Sequence, residues 1–196
     1  MATALPAPAC YTGLGIIPTA DTIKPGAYGV EMQFDGRLAG ATAHTRLLNT
    51  QFGLLPRFEA GVDFDISGES DSRRLLNAKY LLLSDCNSCP SLAIGVCNVG
   101  THIRSSPYAV ASHDFGVLRA HLGSMRIDGR TCWCAGVDRA ITSKFTLMVD
   151  YTSGQDNFAS VGGSYQFSQH FGIMAAVELP NDKSGNTDFT THLLFN

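Results

Sequence analysis

The sequence predicts an all-β fold: a closed, antiparallel, up-and-down (meander) β-barrel of about twelve strands, apolar face outward and polar face to the lumen. Three observations predict it. Apolar and polar residues alternate with a period of two in run after run. Short stretches of Gly, Asn, Asp, Ser and Pro punctuate the runs. The composition holds 20 glycines and one Trp, with 16% charged residues, below the roughly 25% usual in soluble domains.

The elements follow in order along the 196 residues, a length that suits one domain with a real core. Residues 1–25 read as an extended N-terminal segment and 26–196 as the barrel domain. "MATALPAPACYTG" lacks a basic n-region and a long apolar h-region, so it does not read as a secretory signal. No apolar run reaches the roughly 18 residues of a membrane-spanning helix. Strands are expected over 26–36, 44–54, 57–67, 74–83, 91–99, 108–115, 117–127, 132–141, 145–153, 158–167, 171–179 and 188–195.

The alternation can be read residue by residue. In the first strand Tyr28, Val30, Met32 and Phe34 oppose Glu31, Gln33 and Asp35. In the third, Phe58, Ala60, Val62, Phe64 and Ile66 oppose Glu59, Gly61, Asp63 and Asp65. In the ninth, Phe145, Leu147, Val149 and Tyr151 oppose Thr146, Met148, Asp150 and Thr152. The tenth, eleventh and twelfth repeat the design, ending with Phe189, Thr191, Leu193 and Phe195 against Thr190, His192 and Leu194. Turn signals lie at 55–57, 67–72, 84–91, 128–130, 153–157 and 181–186. Closing the sheet removes the edges a long meander would expose.

The polar face is mostly Gly, Ala, Ser, Thr and Asn with isolated charges, too sparse in Lys and Glu for a water-facing exterior. The apolar face is large and aromatic. That favours lipid-type orientation, apolar out, over a soluble carrier with its apolar face inward. The lumen-lining candidates are then Glu31, Glu59, Asp63, Lys79, Arg119, His121, Asp138, Asp150 and Glu178, with Asp35 and His192 on the same face. Two fates for the lumen stay open: a path whose lining charges conduct or select, or a lumen closed by carboxylate–cation pairs. No loop is long enough to be an obvious plug.

Six cysteines stand at 10, 86, 89, 97, 132 and 134. Cys86, Cys89, Cys97, Cys132 and Cys134 are candidates for disulfides, across the 84–91 turn or between barrel positions. A zinc site drawing on these thiols and His121 is the weaker reading, so no metal and no cofactor are assigned. No GxSxG, phosphate loop or HExxH occurs, and the histidines are scattered singly, so no enzyme is expected. The net charge of −3 gives no support for a nucleic-acid partner.

Three stretches carry a family resemblance: "YTGLGIIPTADTIKPGAYGVEMQFDG" (11–36), "NTQFGLLPRFEAGVDF" (49–64) and "GVDRAITSKFTLMVDYTSG" (136–154). They resemble bacterial outer-membrane β-barrel proteins of the exopolysaccharide-associated type. The resemblance implies an outer-membrane or cell-surface barrel with no catalytic residues to carry over. The function expected is a passive pore or structural surface protein, with the lipid bilayer or further copies as partner and no specific small-molecule substrate. The alternative is a self-assembling extracellular subunit of a tube, filament or layer, its barrel exterior buried between copies.

Overall fold

The computed structural model describes residues 11–38, 44–68, 74–86, 89–100 and 103–196. Residues 1–10 of the N-terminal segment with Cys10, positions 69–72 of the expected 67–72 turn, and 87–88 of the 84–91 turn lie outside these.

Twelve strands follow in chain order: β1 (Tyr28–Arg37), β2 (His44–Leu55), β3 (Phe58–Asp65), β4 (Arg74–Leu83), β5 (Ser91–Val99), β6 (Ser106–Asp114), β7 (Arg119–Ile127), β8 (Arg130–Ala140), β9 (Phe145–Thr152), β10 (Phe158–Gln166), β11 (Phe171–Pro180) and β12 (Asp188–Phe195). Each pairs antiparallel with its neighbour in sequence, and β1 pairs with β12 to close the barrel. The seam runs in unbroken register from Val30 opposite Phe195 to Arg37 opposite Asp188.

The strands differ from expectation only at their ends, and the turns explain why. β7 starts at Arg119 because Gly116, at φ 79°, turns the chain and Phe115 N donates to Leu118 O. β8 starts at Arg130 because the hairpin before it is a two-residue Asp128-Gly129 turn, with φ 50° and 84°. Both central residues at positive φ is the type I′ pattern, whose twist matches the flanking strands.

The period of two sorts side chains as expected. On β9, Leu147 is 44% exposed while Asp150 is 1% exposed. On β11, Leu179 is 48% exposed and Glu178 6%. Trp133, Leu122, Tyr28, Phe52 and Tyr80 also point outward. At the end of the barrel where β1 begins and β12 ends, rings of Tyr165, Phe167, Phe171 and Phe195 form a contiguous outward run, with centroids 4.9 to 5.3 Å apart. Such a wet-edged aromatic row is what an interface between hydrocarbon and water selects.

The interior is not uniformly polar. Ala93 and Cys97 on β5, Tyr108 and Val110 on β6, Met125 on β7, Cys134 on β8, Met148 on β9 and Met174 on β11 form an apolar sector of the inner wall. Leu14, Ile16, Ile17 and Ala20 of the N-terminal segment belong to the same cluster. The inner wall is apolar where the chain's own apolar segment lies on it.

Candidate functional site: the occupied lumen

The expectation that nothing is placed to fold into the lumen is corrected here. The segment before β1, not a loop between strands, occupies it. Residues 14–20 and Ile23 are buried, and Gly13 bridges Pro18 to make a small loop. Its backbone cannot form a sheet ladder there, so its donors need side-chain acceptors from the wall. Ile16 N donates to Asp150 Oδ2 at 3.3 Å, Ala20 N to Ser112 Oγ at 2.9 Å, and Ile23 N to Glu59 Oε2 at 2.7 Å. At the exit, Gly26 N donates to Gly53 O at 2.8 Å and Gly53 N to Ala27 O at 3.0 Å.

Close approach fixes two wall positions. A Cβ at Gly53 would lie 2.1 Å from the Lys24 carbonyl oxygen, so only glycine lets the segment pass. A Cβ at Gly136 would lie 2.7 Å from Leu14 Cδ1 and 2.9 Å from Ile17 Cδ1. Burying Ile17 to 2% exposure stabilises the seat by about 1.5–3 kcal/mol.

The strongest anchor is a buried clamp. Lys79 Nζ and Glu59 Oε1 are 3.2 Å apart, at 1% and 0% side-chain exposure. Lys79 also donates to Asp21 O at 2.8 Å and to Thr12 Oγ1, and Thr12 Oγ1 donates to Glu59 Oε1 at 2.9 Å. Gln51 Nε2 reaches the same carboxylate at 3.3 Å. Nearer the mouth, Arg119 pairs with Asp21 at 2.7 Å. Behind Ser112, His121 Nδ1 meets the hydroxyl at 2.7 Å and Nε2 meets Asp138 Oδ1 at 2.7 Å. Asp150 Oδ1 takes a hydrogen bond from Ser160 Oγ at 2.6 Å.

Of the sequence-predicted lining residues, Glu59, Lys79, Arg119, His121, Asp138 and Asp150 therefore gather around the segment. Glu31, Asp63 and Glu178 lie on a second, acidic wall with Asp35 and His192. Glu31 Oε1 is 2.8 Å from His192 Nδ1 and accepts from Asn49 Nδ2 at 2.7 Å. Asp35 accepts from Gln33 Nε2 and from Thr190 Oγ1 at 2.7 Å. Asp63 accepts from Asn77 Nδ2 at 2.5 Å. Glu178 Oε1 is buried and accepts no hydrogen bond from the described residues.

The cysteine expectations separate. Cys86 and Cys89 are disulfide-bonded across the β4–β5 turn, where each amide also donates to the other's carbonyl. The other candidates, Cys97, Cys132 and Cys134, are buried thiols that form no disulfide with one another or with any other described residue. Cys132 and Cys134 sit two apart on one strand, so their Cβ vectors run parallel rather than converging. Cys97 is on β5, three strands away, where its Sγ donates to Ser106 O at 3.5 Å. A metal held by these thiols and His121 is not supported: both ring nitrogens of His121 are engaged, and no metal-holding group is present among the described residues.

A cavity of about 440 Å³ opens at the mouth beside this turn, lined by Asp21, Leu81, Asp85, Asp114 and Arg119 among others. Asp85 is held below the ordinary carboxylate range by its 2.9 Å hydrogen bond with His113 Nδ1.

No family model matches the sequence, and no curated protein matches it. Solved structures do. The KdgM porin is similar at a TM-score of 0.65 and 13% identity, over 86% of this chain and 98% of that one. The fold is porin-like. The KdgM porin in complex with disordered oligogalacturonate gives a TM-score of 0.67 at 14% identity, with the same coverage. The NanC porin gives 0.62 at 14% identity, over 87% of this chain and 100% of that chain. The likeness to these porins bears on the fold alone; it does not show the exopolysaccharide-associated type expected from the sequence.

Sequence reasoning missed the occupied lumen and the apolar inner sector. Two signals were present. "GLGII" (13–17) is an apolar cluster without alternation ahead of the first strand, and β6 carries apolar residues on both faces in "PYAVA" (107–111).

Proposed function

We propose that the chain is a non-enzymatic outer-membrane β-barrel pore, whose lumen is occupied by its own N-terminal segment in the closed state. The observation that carries this is the continuous apolar exterior on a closed barrel of porin fold. In water such a surface needs a cover, and a bilayer supplies one. The strands, 8 to 12 residues long, match the roughly 9–11 that cross a bilayer at a tilt. The Cys86–Cys89 disulfide fits an extracytoplasmic compartment.

Glu31, Glu59, Asp63, Lys79, Arg119, His121, Asp138, Asp150 and Glu178 line the path, and the cargo is ions or small solutes. The KdgM porin was solved in complex with disordered oligogalacturonate, which supports small solutes as cargo in this reading. The segment lets go only when the Glu59–Lys79 clamp and the Arg119–Asp21 pair are released. An outer-surface assembly of copies would cover the same belt, but porin likeness favours lipid.

Reconstitution into planar bilayers tests the reading. Stepwise currents that rise when the segment is loosened support it. A monodisperse monomer in detergent-free buffer refutes it.

A further inference from the structure

We infer that the outer face of the barrel holds an anionic, phosphate-bearing lipid in a niche across β12, β1 and β2, with Arg46 as its main contact. This goes beyond the pore reading: it needs the bilayer but not conduction.

Strand register builds the niche. Side chains alternate between lumen and exterior, which places Phe34 and Gly36 of β1, His44 and Arg46 of β2 and Phe189 of β12 on the outside. Phe34 pairs with Arg46, and Gly36 sits between His44 and Phe189. Gly36 has no side chain, so the His44 ring lies down over it, its centroid 6.4 Å from that of Phe189. Between Phe34, Phe189, His44 and Arg46 a hollow of about 210 Å³ remains. One water occupies about 30 Å³ of liquid, so the hollow has room for a lipid headgroup.

The niche lies at the edge of the apolar belt. Below Arg46 the outward residues of β2 are Leu48, Thr50, Phe52 and Leu54; below Arg74 those of β4 are Leu76, Ala78, Tyr80 and Leu82. Leu48 and Arg74 both stand opposite Phe64 of β3, so cation gives way to hydrocarbon within one outward position on the two strands. The connections at this end, 38–43, 66–73, 100–105, 153–157 and 181–187, are longer than those at the other end, apart from the 128–129 turn here and 84–90 there. Long loops mark the outward side of such barrels, which puts the niche at headgroup level in the outer leaflet.

Charge and shape select the occupant. Over β1 to β4 the outward positions carry Arg46 and Arg74 and no carboxylate. Neither guanidinium pairs with a carboxylate among the described residues. A guanidinium fork suits a phosphate, by charge and by paired N–H donors. Phe34, Met32 and Leu193 continue the wall toward the bilayer centre and give an acyl chain apolar surface to lie on. A soluble anion gains the charge but not that wall. A zwitterionic lipid carries its own cation and gains less.

The test is native mass spectrometry of the full chain, purified in detergent and incubated with phosphatidylglycerol or phosphatidylcholine. Phosphatidylglycerol is expected to be retained in preference. Arg46→Gln is expected to lower that retention about fivefold, with a further loss on adding Arg74→Gln. Arg139→Gln, exposed on the outer face at the opposite end of β8, is expected to leave it unchanged. Equal retention of the two lipids overturns the site, as does retention that Arg46→Gln fails to move or that Arg139→Gln lowers equally. Displacement by inorganic phosphate beyond that caused by chloride of equal ionic strength overturns it in favour of a free-anion site. Any of these failures leaves the stepwise currents that test the pore reading untouched.

Discussion

Glu59→Gln probes the clamp with almost no change in volume. In the native chain one Glu59 carboxylate serves Lys79, Thr12, Gln51 and the Ile23 amide, all out of water. The amide of glutamine keeps one acceptor oxygen and turns the other into a donor aimed at groups that already donate. It also leaves the Lys79 ammonium buried without its counter-charge. Removing one member of a buried ion pair costs about 3–5 kcal/mol, because the remaining charge is uncompensated. That cost falls on the seated segment, since the strand ladders of β3 and β4 do not use the carboxylate. At about 1.4 kcal/mol per tenfold, local opening of residues 12–23 should rise by roughly two to three and a half orders of magnitude. Hydrogen–deuterium exchange of the Ile23 and Ala20 amides in lipid or detergent reads this directly, with the strand amides of β9 as the internal reference. Unchanged exchange at Ile23, or equal acceleration in β9, would show that the clamp does not hold the segment.

Three further outcomes are expected. Ile17→Ala truncates the most buried large apolar side chain of the segment and should weaken its seat by about 2–5 kcal/mol, measured as faster exchange of residues 14–20 with an unchanged barrel melting profile. Cys86→Ser with Cys89→Ser opens a very short loop, so by the chain-entropy account it should cost only about 2 kcal/mol, seen as a small shift in thermal unfolding with the barrel retained. The Asp85–His113 contact stabilises the β4–β5 turn above the ordinary Asp pKa and is lost as the pH falls through the lowered folded value; limited proteolysis of residues 84–90 should accelerate only in that acid range and not in Asp85→Asn, which lacks the titrating group.

The barrel was legible because its physics is written locally. Each strand has to satisfy two solvents at once, and a period of two is the only way an extended chain can do so. Phe58 through Asp65 shows this in eight residues. The occupied lumen was not legible, because residues 11–27 satisfy their backbone through Glu59, Ser112 and Asp150, partners 36 to 134 positions away. No local pattern encodes acceptors so distant. Parity assigns charges to one face of a strand, but it cannot tell a carboxylate that grips a segment, such as Glu59, from one without a hydrogen-bond donor among the described residues, such as Glu178. The Cys86–Cys89 pair is a local turn feature and could be read; the fates of Cys97, Cys132 and Cys134 depend on strand order and parallel Cβ vectors.

The three amide contacts of the segment land on β6, β9 and β3, each three strands from the next in a ring of twelve. They are spokes at quarter-turn intervals on a common hub. A hollow tube of strands resists stretching along its hydrogen bonds but ovalises easily under lateral pressure. With spokes to three quadrants, flattening along either spoke axis must change the length of at least one of them. The seated segment thus does for this barrel what a wheel's hub does for its rim: it keeps the cross-section round.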